Sequence, residues 1–153
     1  MYDTILVPTD GSPVAETAIE HAVDLAATYD ADVHALYVVD LDAMGVAVGA
    51  EQIDRFRQGD FGDLPELEQR ARDAVSGVSR RAADRDVDVT EAIVAGSPHR
   101  KIADYADDND VDLIVMGSAG RGGVRRVLLG SVAERTLRTT DIPVLVVDVR
   151  KED

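Results

Sequence analysis

Residues 111–131 read VDLIVMGSAGRGGVRRVLLGS. A run that is apolar but for Asp112 empties into a stretch with five glycines, three arginines and no acid, in a chain whose formal charge is -14. An apolar run of this length without alternation reads as a strand covered on both faces. Glycine serves helices and strands poorly, but it lets backbone N–H groups come close to an anion. A buried strand opening into such a loop points to a parallel sheet with a ligand at its carboxyl edge.

The rest of the chain fits that reading. TILVP at 4–8 is a short apolar run ended by Pro8, and TDGSP follows as a dense turn signal. Ser12, Pro13 and Glu16 supply an N-cap, a proline at the first helical position and an acid in the first turn. Apolar residues at 14, 15, 18, 19, 22, 25 and 26 then predict a helix over about 13–29. ADVHALYVVD at 31–40 is a second strand. Residues 40–63 carry Gly45, Gly49, Gly59 and Gly62 without a sustained period, as a functional or flexible insertion would. Helical spacing resumes at Leu67, VDVTEAIVAG at 87–96 alternates as a third strand, and Ser97 with Pro98 opens another helix. After the fourth strand, VDLIVMG, a short helix SVAERTLRTT and a last strand IPVLVVDV at 142–149 complete the chain.

Strands alternating with helices, the strands too apolar to have a wet face, predict an α/β fold: one domain over 1–153 built on a doubly wound, five-stranded parallel sheet. Ligands of such sheets sit beyond the carboxyl ends, where the strand order reverses, so strands one and four are expected to flank the crevice.

Composition excludes several classes of function. The 30 acids, 22 of them Asp, face 16 bases, 14 of them Arg. General nucleic-acid binding is disfavoured, because phosphates need a basic face. An Asp-rich, Lys-poor surface suits a high-salt, halophilic cytoplasm, with a merely acidic soluble protein as the plainer alternative. The absence of cysteine rules out disulfides, thiolate catalysis and Cys metal sites. No basic-then-apolar leader and no run approaching 18 apolar residues is found, so a cytoplasmic protein with no membrane partner is expected.

Three familiar nucleotide loops fail on the glycine stretch. A dinucleotide fingerprint starting at Gly120 and Gly122 needs glycine where Arg125 stands, and a P-loop needs Lys between Gly130 and Ser131. A phospho-receiver of this class needs an acid ending strand three, where VAGS stands. What remains is Gly117, two residues, Gly120, nine residues, then Gly130 and Ser131. Ser131 at the start of a helix would add a hydroxyl and the positive end of the helix dipole. The plainer reading makes the stretch a connector with Ser131 as an ordinary N-cap.

With this spacing, and from ILVPTDGS to IPVLVV, the chain resembles the universal stress protein family and its ATP-binding members. The resemblance implies a Rossmann-like fold of the adenine nucleotide alpha hydrolase-like kind, with ATP as cofactor. By it Gly117, Gly120, Gly130, Ser131 and Val132 cradle triphosphate and ribose, beside Met116 and Arg121. Pro8, Thr9 and Asp10 line the opposite wall, and the backbone of Val38 reads adenine. It also implies a homodimer through the last strand, 142–149. Asp10 suits a ribose hydroxyl or Mg²⁺ beside phosphates, or simply an Asx turn with Gly11 and Ser12. Arg121, Arg125 and Arg126 suit either phosphate or neighbouring Asp.

His21, His34 and His99 read as structural, and Asp107, Asp108, Asp110 and Asp112 as a solvated turn. With no general base to orient water, ATP is expected to be bound or sensed in a stress response, with at most slow hydrolysis. The alternative is an ATP-dependent transferase or pyrophosphatase on a related fold, the 40–63 insertion closing over a second substrate.

Overall fold

The computed structural model describes residues 1–40, 65–119 and 129–148. The expected insertion past Asp40, together with Gly120, Arg121, Arg125 and Arg126, lies outside the described residues. In chain order the elements are β1 (Thr4–Pro8), α1 (Pro13–Tyr29), β2 (Asp32–Asp40), α2 (Pro65–Ala83) and β3 (Val89–Gly96). They continue as α3 (Pro98–Asp108), β4 (Leu113–Gly117), α4 (Ser131–Thr139) and β5 (Val144–Val147). The five strands form one sheet in the order β3-β2-β1-β4-β5, every pairing parallel. The chain first winds outward from β1 through β2 to β3, then returns to β4 on the other side of β1. The order reverses between β1 and β4, as the sequence predicts.

Alternation within β1 divides the core. Ile5 and Val7 pack with Ala22 of α1 and with Val75 and Val78 of α2, whereas Leu6 faces Ile102 and Ala106 of α3 and Ala133 of α4. Both faces of the central strand are therefore dry. The edge is not: Thr90 and Glu91 of β3 are exposed, which corrects the expectation of strands without a wet face. Ala15, Ala18, Ala22 and Ala26 form the buried stripe of α1, so the helix lies close on the sheet without large aromatic side chains.

Element ends move where a specific bond decides them. α2 begins at Pro65, two residues before Leu67, because a proline in the first turn needs no partner for an N–H it lacks. Asp112 does more than solvate a turn: its Oδ2 accepts the N–H groups of Asp3 at 2.8 Å and Thr4 at 3.0 Å, fastening the start of β1. β5 spans only Val144–Val147, and the Pro143 carbonyl ahead of it accepts the Ile114 N–H at 2.9 Å. His34 sits inside β2 with Nδ1 2.7 Å from the Tyr105 hydroxyl of α3. Burial holds the His34 pKa below its usual value against the opposing pull of Asp32, and burial also pushes the Tyr105 hydroxyl up. The pair joins strand to helix, a structural role as expected.

Candidate nucleotide-binding crevice

The turn after β1 is built from its own side chains. The Thr9 N–H donates to the Leu36 carbonyl at 2.9 Å, one rung past the paired strand, and Thr9 Oγ1 accepts the Gly11 N–H at 3.2 Å. Gly11 has φ 79°, a left-handed conformation that glycine takes without strain. Asp10 Oδ1 accepts the Ser12 N–H at 2.9 Å, so its Asx-turn role is in place. Ser12 caps α1, its Oγ accepting the Ala15 N–H at 3.2 Å.

β4 delivers the second turn beside the first. Met116 is buried in the core shared by α3 and α4. Gly117 lies against the first turn of α1: a Cβ there would come within 2.7 Å of Val14 Cγ1 and 3.3 Å of the Val14 carbonyl carbon. The chain departs at Ala119 and returns at Gly130, whose N–H donates to the Ser118 carbonyl at 2.6 Å. Gly130 is the N-cap of α4, and Ser131 is the first helical residue, which corrects the reading of Ser131 as an ordinary cap. Unlike the serine that caps α1, the glycine that caps this helix has no side-chain acceptor of its own. The first N–H groups of an α-helix have no intrahelical partner.

Val38 occupies the far side of β1. The peptide groups of Leu36 face β1, since its carbonyl accepts from Thr9, and strand periodicity turns those of Val38 the same way. Pairing of β1 with β2 ends at Pro8↔Leu36, so the Val38 peptide groups face the space above the first turn. The fold thus gathers Pro8, Thr9, Asp10, Val38, Gly117, Gly130, Ser131 and Val132 around the carboxyl ends of β1, β2 and β4. Among the described residues no group of three or more His, Asp or Glu is placed to hold a metal ion.

A groove of about 520 Å³ opens between α1 and α2, lined by Glu16, Arg70, Asp73 and Arg80 and reaching Thr9 and Gly11. Its described lining includes neither Gly117, at the end of β4, nor Gly130, at the start of α4. Two residues that the sequence reading passed over complete the turn after β4. Ser118 is buried, and its Oγ donates to Asp148 Oδ1 at 2.8 Å. An acid directly following the apolar run of the last strand was the available signal.

The comparisons agree with this architecture. A model of the universal stress protein family matches residues 1–148. Universal stress protein MJ0531 of Methanocaldococcus jannaschii is 37% identical over all of this chain and 86% of its own length. Universal stress protein MJ0577 of the same organism is 32% identical over 96% of this chain and 95% of its own. A solved structure of MJ0577 superposes with a TM-score of 0.80 at 31% identity, covering 99% of both chains. The universal stress protein UspA from Lactobacillus plantarum superposes at 0.72 with 30% identity, covering 95% of this chain and 97% of its own. With the sheet order, the Ser118–Gly130 bond and these likenesses in agreement, the chain belongs to the universal stress protein family.

Proposed function

We propose that this protein binds ATP between the carboxyl ends of β1 and β4 and uses it as a sensed or retained ligand in a stress response. The observation that carries this is the Ser118–Gly130 bond, which sets a glycine-capped helix N-terminus at the same carboxyl edge of the sheet as the turn of Thr9 and Asp10. Backbone N–H groups at such a terminus suit phosphate oxygens, and ATP supplies the negative charge they lack. In this reading Gly117, Gly120, Arg121, Gly130, Ser131 and Val132 hold phosphates and ribose, with Met116 beneath them. Pro8, Thr9 and Asp10 form the facing wall, Asp10 sharing Mg²⁺ with the phosphates, and the Val38 backbone reads the adenine edge. Two solved structures of the same fold support an adenine nucleotide. One is a universal stress protein in complex with cAMP, at TM-score 0.67, and the other is the Archaeoglobus fulgidus protein in complex with dAMP, at 0.68.

His21 lies in α1, His34 in β2 and His99 in α3. The protein works in this reading as a homodimer joined through β5, in a salty cytoplasm. Mass spectrometry of the small molecule released on denaturing the purified protein tests the ligand. An adenine nucleotide is expected, and a folded protein that neither carries one nor binds added ATP overturns the reading.

A further inference from the structure

All three polar groups of Ser118 are engaged within the fold. Its N–H donates to the Val147 carbonyl at 2.8 Å, its Oγ to Asp148 Oδ1 at 2.8 Å, and its carbonyl accepts the Gly130 N–H at 2.6 Å. The first two bonds reach the end of β5, and the third reaches the cap of α4. One buried residue therefore connects the edge strand to the start of the helix. Substitution leaves these backbone groups in place, but without the hydroxyl's bond to Asp148 the Ser118 peptide is held less firmly and its bond to the Gly130 N–H opens more readily. Asp148 follows the last rung of the β4–β5 pairing, Gly117↔Val147, which sets its carboxylate beside Ser118. A carboxylate at the rim of a polyanion site repels the ligand. Its presence there is explained by the bond it accepts.

We infer that Ser118 is a positioning residue for the anion-binding N-terminus of α4, oriented by Asp148 from the end of β5 and holding Gly130, and with it the start of that helix, in place. The inference rests on the ATP reading for what is positioned, whereas the latch itself exists without nucleotide. Losing one such hydrogen bond corresponds to an effect of about three- to tenfold. Ser118→Ala and Asp148→Ala should each weaken ATP binding by that factor in calorimetric titration. In nucleotide-free protein, both should speed amide hydrogen exchange at Gly130 by a similar factor.

Asp148→Asn keeps the Oδ1 acceptor and removes the charge. It should retain wild-type exchange at Gly130 and bind ATP at least as tightly as wild type, and this retention beside the losses in Asp148→Ala is a contrast that a purely electrostatic Asp148 does not produce. Unchanged exchange at Gly130 in Ser118→Ala, or Asp148→Asn behaving like Asp148→Ala, overturns the latch. Faster exchange with unaltered ATP affinity overturns positioning. If wild type fails to bind ATP, the functional reading falls while exchange still decides the latch. Asp148 is exposed, so its variants remain informative should Ser118→Ala fail to fold.

Discussion

At the scale of single residues, the glycines serve two purposes that spacing alone does not separate. A Cβ at Gly130 would lie 3.1 Å from Ala119 Cα and 3.2 Å from the Ser118 carbonyl oxygen, contacts with backbone that can yield only slightly. At Gly117 the obstacle is Val14, part of the seat of α1. Gly117→Val should therefore cost stability as well as ATP binding, by about 1–3 kcal/mol as expected for overpacking a filled site. Gly130→Ala should weaken ATP binding and also cost some stability, because its Cβ meets backbone rather than a movable side chain. Denaturant midpoints and titration of each variant check this, and a Gly117→Val protein as stable as wild type would show that the α1 contact relaxes freely. The positions of these glycines were legible in the sequence, because their pattern is local. Ser118 and Asp148 were not, because their bond spans 30 residues and needs β4 and β5 to be neighbours first.

At the scale of elements, starts were read better than lengths. Ser12, Pro13 and Glu16 place the beginning of α1 because capping chemistry lies within a few residues of the cap. IPVLVVDV suggested eight paired residues, but β5 can pair only where β4 offers rungs, from Ile114↔Val144 to Gly117↔Val147. Ser97 illustrates the same limit: it precedes α3 as expected, yet its Oγ makes no cap bond and lies 3.3 Å from His99 Nδ1. The 40–63 segment carried no period from which to predict an element. β5 is also the outer strand of the sheet, and Leu145 on it remains 37% exposed. An apolar edge of this kind is a template for a second copy. Leu145→Asp, placing like charges across a two-fold contact, should convert a sedimenting dimer into a folded monomer. Wild type sedimenting as a monomer at micromolar concentration would remove the dimer from the functional reading.

At the scale of the whole molecule, the question is how a net charge of -14 is tolerated. Part of the answer is local: Glu16, Glu20 and Asp24 on successive turns of α1 face Arg81 and Arg85 of α2, joined by three ion pairs. All of these groups are at least a third exposed, so each pair contributes only about 0–1 kcal/mol. They occupy few of the acids, and the excess of 30 acids over 16 bases leaves repulsion that no arrangement of partners removes. Salt acts on both. The screening length falls from about 10 Å at about 0.1 M to about 3 Å at about 1 M, which weakens the few attractive pairs but also the many longer-range repulsions. With repulsive pairs in the majority, the melting temperature should climb from dilute buffer into molar KCl. Preferential exclusion of solute from the surface also raises stability, but an uncharged osmolyte such as sucrose does that too. Screening is therefore identified by a steep rise at low KCl that flattens once the screening length drops below the spacing of surface charges, with no such break in sucrose. A melting temperature that stays level across the KCl series would mean that the acids are already far enough apart, and the salt-adapted reading of this surface would be wrong.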